Sequence, residues 1–313
     1  MARYGWIAAI ILICSELALF SGVELVADYF YLLVWWPYIF ILDALIKARK
    51  GTSPITSNPS CFVNMCIWSV TIWLIFEIIN LRLGNWHYIG LTPNRVMRWL
   101  GYALSFATVL PGIFLTAVLI KEHLFTGTRR QGAPGRTVKS IPVIPWCVLG
   151  IFFLALPMIW PSYFFPLVWG FSFFLLDPLN RRLGRRSLIH EYLNGQGRTV
   201  YALLISGLIC GFLWEFWNFR AAAKWFYTVP FVGDWKLFEM PVLGFLGFPP
   251  FALECFCMYE FVSGIGLGGG IPLSFSQKDC TCNNSLMFLV FSLLFWLLAF
   301  HLIDTYTVVR FKG

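Results

Sequence analysis

Nine stretches of this chain are long and apolar enough to cross a bilayer, and that restricts its fold more than anything else in the sequence. A membrane helix needs about 20 largely apolar residues. Residues 5–25, 28–47, 60–82, 96–120, 141–160, 161–180, 198–220, 238–263 and 285–308 all reach that length. Only 12% of the 313 residues are charged and 59% are hydrophobic, whereas soluble domains carry roughly 25% charged residues. Backbone groups in hydrocarbon must be satisfied within their own segment. The expected fold is therefore all-α, a polytopic integral membrane protein of about nine transmembrane helices. The first stretch lacks a small-residue cleavage site and runs almost directly into the second, so it reads as a retained span and not a signal peptide.

Lys and Arg set the expected orientation. With the N-terminus inside, the inner segments hold 15 basic residues and the outer segments 8, which accounts for all 23. The larger groups are Lys47, Arg49 and Lys50, then Lys121, Arg129, Arg130, Arg136 and Lys139, then Arg181, Arg182, Arg185, Arg186 and Arg198. That bias predicts a multi-pass protein with a cytoplasmic N-terminus, in the inner membrane if the source is prokaryotic. The net charge of +8 then reads as topology with contact to anionic lipids of the bilayer. It does not indicate nucleic acid, because the basic residues form no stripe.

The chain also repeats itself. Residues 29–43 and 163–177 agree at eight of fifteen positions at an offset of 134, including Trp35/Trp169 and Asp43/Asp177. Glu77/Glu215, Asn80/Asn218 and Arg82/Arg220 align at 138, and Trp86/Trp225 and Tyr88/Tyr227 at 139. Chance similarity among apolar helices would not put acid, amide and base in one shared order, so the pattern marks a duplication. Two parallel four-helix repeats follow, related by a pseudo-twofold axis along the membrane normal. They occupy residues 1–125 and 141–264, joined by a basic cytoplasmic linker at 126–140. A cytoplasmic loop at 265–284 and a ninth, C-terminal helix with its tail at 285–313 complete the chain.

An acid at mid-membrane costs about 2.5–3.5 kcal/mol on insertion scales, so each one needs a reason. Asp43 and Asp177 lie at inner helix ends beside basic loops, where pairing with a loop Arg or Lys is the expected explanation. Glu77 and Glu215 are each followed by Asn at i+3 and Arg at i+5, and residues three apart share a helix face. Two readings stand for them. One is a polar floor to an aromatic cavity, and the other a Glu–Arg brace with an interfacial aromatic anchor. Past Glu215 the repeats diverge, since residues 238–260 carry Pro241, Pro249, Pro250 and Glu254 where the first repeat keeps only Pro111 and no acid. Prolines kink or open a helix, so Glu254 reads either as part of a site confined to the second half or as a buried acid in a kinked packing helix.

Other chemistry is sparse. Only His301 lies mid-span, near Asp304, and it reads as a satisfied polar residue and not a ligand. The nine Cys fit no disulfide framework, and Cys280 and Cys282 give only a faint thiol-pair or metal hint. The glycine run at 264–270 has no strand before it and is not a nucleotide loop. No metal or other cofactor is expected.

The stretch 214–260 resembles the small membrane lycopene cyclases, the carotenoid-cyclase family of fungi, archaea and some bacteria. The residues carrying the likeness are Trp214-Glu215, then Trp225-Phe226-Tyr227 with Pro230, then Gly247-Phe248-Pro249-Pro250 and Glu254. The family usually has Asp at the first acid, a P-x-E-E doublet at the second and three spans per unit. This chain has Glu, a single carboxylate and four spans. The resemblance implies a hydrophobic, lipid-like isoprenoid substrate and a cyclase or isomerase activity. Protonating an alkene requires a strong acid in a dry site, and low dielectric keeps a carboxyl neutral. The carbocation formed is stabilised by aromatic faces, about 2 kcal/mol or more each when desolvated. On this reading Glu215 and Glu254 are the acid/base pair. Trp214, Trp217, Trp225, Tyr227, Phe248 and Phe251 line the cavity, and Asn218 and Arg220 orient the carboxyls. A transporter using the paired acids as an ion path, and a non-catalytic subunit binding lipid or a partner, are the competing classes.

Overall fold

A computed structural model of the chain describes residues 1–124, 140–267, Leu273 and 286–312. The linker bases Arg129, Arg130, Arg136 and Lys139, and the loop residues Lys278, Cys280 and Cys282, lie outside the described residues. The protein is all-α apart from short strands. Among the described residues eight helical segments are long and apolar enough to cross a membrane, and a further apolar helix has 17 residues. The first repeat comprises α1 (Arg3–Phe20), α2 (Glu24–Lys50), α3 (Pro59–Leu83), α4 (Arg95–Phe106) and α5 (Val109–Leu124), the last two forming one span. The second comprises α6 (Val143–Ile159), α7 (Phe171–Arg182), α8 (Arg198–Arg220) and α9 (Phe248–Gly264), and α10 (Leu286–Tyr306) follows. Helices α1 and α10 show apolar side chains such as Trp6, Ile10, Phe291 and Leu294 on the outside, as a lipid-facing surface requires.

The duplication extends to hydrogen bonds. Asp43 accepts from the Ser53 hydroxyl (2.8 Å), the Tyr4 hydroxyl (2.6 Å) and the Ile55 amide (3.0 Å). Asp177 accepts from the Ser187 hydroxyl (2.5 Å) and the Leu188 and Ile189 amides (2.6 and 3.1 Å). In each repeat the serine sits ten residues after the aspartate, and the carboxylate takes the free amides at the start of a short helix. This corrects the expected loop Arg or Lys partners, because hydroxyls and amides are closer and keep the acids fully buried.

The prolines near Glu254 also act differently from expectation. Pro241 lies in a two-residue strand, and Val242–Gly247 is a 3-10 turn. Pro249 and Pro250 fall in the first turn of α9, where a missing N–H costs nothing. They start the helix instead of kinking it. Gly207 and Gly211 let α8 approach α9 closely, since a Cβ at either would lie 2.4 Å or less from Phe248 atoms. Membrane helices commonly use such small-residue spacing.

Strands unexpected from the sequence lie where each repeat leaves its Glu-bearing helix. Strand β1 (Trp86–Leu91) pairs antiparallel with β2 (Lys224–Tyr227) and parallel with β3 (Val308–Phe311). In the β1–β2 register Trp86 faces Tyr227, His87 faces Phe226 and Tyr88 faces Trp225. Equivalent residues thus swap across a centre at His87/Phe226, as a local twofold requires.

Candidate functional site

The strands sit against a cavity of about 800 Å³, within the 300–1,000 Å³ typical of ligand sites. Its wall includes Tyr31, Trp73, Trp86, Tyr88, Trp169, Trp214, Trp225, Tyr227, Phe248 and Phe251, with Glu215 among them. The rings also pack on one another. Phe251 meets Trp73, Phe76, Trp169 and Trp214 edge-on with centroids 5.2–6.0 Å apart. At one rim lie the charged groups Asp28, Arg98, Lys224 and Lys312. Lys312 bridges to Asp28 at 2.7 Å and Lys224 to Glu239 at 2.5 Å.

Each repeat builds one carboxylate station on the same plan. Asn80 accepts from the Asn85 amide (2.8 Å) and donates to the Trp86 carbonyl (2.8 Å). Asn218 accepts from the Trp225 amide (2.9 Å) and donates to its carbonyl (2.8 Å). A fully buried Asn one turn past the Glu therefore pins the strand backbone, and the strand's own Trp and Tyr reach back to the acid. Glu77 accepts from Tyr88 (2.5 Å) and Trp86 (3.2 Å), and Glu215 from Tyr227 (2.7 Å) and Trp225 (3.4 Å). Burial first, then the neighbouring carboxylate, holds the phenols of Tyr227 and Tyr88 well above their ordinary range, so both remain hydrogen donors. Asn218→Ala should cost about 1–3 kcal/mol, the range for stranding buried hydrogen-bond partners. A detergent-solubilised thermal melt will show this, with Asn80→Ala giving a similar loss if the stations are equivalent.

The remaining sequence-derived site residues divide. Trp214, Glu215, Trp225, Tyr227, Phe248 and Phe251 are on the cavity wall, whereas Trp217, Asn218, Arg220 and Glu254 are not. The Trp217 indole donates to Glu16 at 2.8 Å and ties α8 to α1. Asn218 orients Glu215 only through the strand. Arg220 is exposed, its guanidinium 4.0 Å over the Phe20 ring, and Arg82 donates to the Met158 carbonyl at 2.9 Å. Neither Arg orients a carboxyl, and the Glu–Arg brace is absent. A residue at i+5 on a helix points away from the face that carries i and i+3. Glu254 lies one layer behind the wall, between α7 and α9. One of its oxygens accepts from the Ser172 amide (2.8 Å) and hydroxyl (3.1 Å), and the two acids do not share the cavity.

Sequence reasoning missed Tyr31, Trp73 and Trp169 on the wall, and Asp28 and Lys312 at the rim. Trp169 was detectable as the partner of Trp35 in the duplication, and Trp73 by its position four residues before Glu77. His301, expected to be a satisfied polar residue near Asp304, is exposed on the bundle. Asp304 instead takes Arg98, Trp99 and Tyr102. Cys61 is disulfide-bonded, contrary to expectation, while Cys14, Cys66, Cys147, Cys210, Cys255 and Cys257 are free. Among the described residues no three His, Cys, Asp or Glu gather as metal ligands would.

Fold and site together define an all-α membrane protein with an aromatic cavity and buried carboxylates. No protein-family model, curated protein or solved structure matches the chain.

Proposed function

We propose that this protein is a membrane enzyme that rearranges a double bond of a hydrophobic, isoprenoid-like lipid by acid–base catalysis at Glu215. One observation carries the reading: Glu215 is fully buried on the wall of an aromatic cavity, and its second oxygen has no hydrogen-bond partner. In the first step the alkene π pair takes the Glu215 proton, forming a C–H bond and leaving a carbocation beside a carboxylate. The rings of Trp214, Trp225 and Phe251 on the wall supply the aromatic surface that stabilises such a cation. A neighbouring C–H then returns its proton to Glu215, giving a shifted double bond, or a ring if a second π bond has first attacked the cation. A single carboxyl suffices as donor and acceptor, so Glu254 is not needed. Tyr227 and Trp225, donating to the first oxygen, stabilise the carboxylate when it forms. The likeness of residues 214–260 to the small membrane lycopene cyclases supports the substrate class. The basic bias supports a cytoplasmic N-terminus.

Lipid extracts from an isoprenoid-producing host test this. Wild type should yield a new species that Glu215→Gln reduces at least 10²-fold, the lower range for losing a general acid. Glu254→Gln should retain it. Identical extracts with and without the protein would overturn the proposal, leaving lipid binding or transport.

A further inference from the structure

Of the differences between the two carboxylate stations, one lies four residues before the acid. In the first repeat it is Trp73, whose indole donates to Glu77 at 2.8 Å. In the second it is Gly211. The space above Gly211 is filled by the Phe248 ring, whose atoms would lie 2.2 Å from a Cβ built there. A phenyl ring has no N–H to give. Trp73 thus adds a third donor to Glu77, on the oxygen that Tyr88 and Trp86 also reach, while Trp86 alone reaches the other oxygen at 3.3 Å. Glu215 has two donors, both on the same oxygen, and its other oxygen is buried without any. Glu215 is on the cavity wall, whereas Glu77 is screened from it by Trp73, Trp86 and Tyr88, which are on the wall themselves.

We infer that Trp73 and Gly211 are positioning residues that decide which of the duplicated carboxyls can react. Trp73 closes Glu77, and Gly211 leaves Glu215 open as a modification site for hydrophobic electrophiles that consume a carboxyl proton. The inference deepens the proposed role of Glu215 and rests on it for its meaning, but it makes a claim about the carboxyl alone. The duplicated frame would then hold two equivalent acids of which only Glu215 reaches the cavity, Glu77 being kept behind the Trp73 indole.

Dicyclohexylcarbodiimide is the probe. The acid's proton goes to one carbodiimide nitrogen while the carboxyl oxygen bonds to the central carbon. Migration of the acyl group to nitrogen then gives a stable N-acylurea, with no atom lost. Protein in native membranes, labelled and mapped by mass spectrometry, should carry the adduct at Glu215 roughly tenfold more than at Glu77, a factor that one hydrogen bond commonly supplies. Glu215→Gln should remove that signal. Trp73→Phe should raise labelling at Glu77 by a similar factor, and Trp73→Leu should do the same, so the result does not hang on one variant folding. Equal labelling of the two acids in wild type, no labelling of either, or no gain at Glu77 in both Trp73 variants would overturn the inference. Labelling of Glu215 as expected, with unchanged lipid extracts, would remove only the proposed reaction.

Discussion

Arg98→Met should be among the most destabilising substitutions in the protein, costing about 3–5 kcal/mol, as breaking a buried ion pair does. The guanidinium meets Asp304 through two hydrogen bonds of 2.8 and 2.7 Å, with side chains only 7% and 12% exposed. Its third nitrogen donates to the Thr92 and Pro93 carbonyls. Met fills similar volume but leaves Asp304 with only the Trp99 indole and Tyr102 hydroxyl, which carry no charge to offset it. Two carbonyls also lose their donor. The midpoint of a thermal melt in one fixed detergent should fall on the order of 10 °C. Lys312→Met, which removes a more exposed partner of Asp28, should shift it far less, as surface pairs do. Equal falls for the two variants would mean that the Arg98 pair has no special weight.

Gly90→Ala is expected to be comparably severe for a steric reason. Gly90 has φ of +70° within β1, a conformation that costs an L-residue about 1–2 kcal/mol. An added Cβ would also lie 2.1 Å from the Ala222 carbonyl oxygen, and backbone cannot step aside as a flexible side chain can. Relief requires β1 to move away from the start of β2, at a further cost of about 1–3 kcal/mol by analogy with overpacked cores. Because Gly90 is on the cavity wall, the variant should also change the fluorescence of Trp86 and Trp225. Unaltered emission with an unaltered melt would show that the strands can part freely. Gly84→Ala makes a useful comparison: it shares the left-handed backbone, with φ of +61°, but nothing lies within 4 Å of its Cβ.

Much of this architecture could be read from the sequence because the membrane leaves few options. Apolar runs of fixed length can only be helices there, so most helices start and end within a few residues of their expected positions, although α7 and α9 begin about ten residues later, at Phe171 and Phe248. The order Glu-Asn-Arg followed by Trp and Tyr revealed the duplication, and the structure gives physical roles to four of those five residue types. Arg was misread. Its sequence distance from Glu looked like a brace, but helical rotation sends it outward, and neutral indole and phenol groups returning from the strand are the acid's partners. The strands themselves escaped notice because four to six residues of Trp, Tyr and Phe after a membrane helix read equally well as an interfacial belt. Their pairing depends on segments well over a hundred residues apart. Glu254 was misplaced for a similar reason. Nearness to Phe251 along the helix did not reveal that one side faces the cavity and the other Ser172.

The covering sheet has a consequence for the order of assembly. Its central strand ends at Leu91, one neighbour begins at Lys224, and the other is Val308–Phe311. Parallel pairing over so long a separation is slow to form, because loop closure must precede any reward from contact. During synthesis both repeats can therefore be inserted and folded while one edge of the central strand stays unpaired and the Asp28 side of the cavity rim lacks its Lys312 bridge. The cavity wall is then incomplete on that side until the C-terminal strand pairs and brings Lys312 beside Asp28.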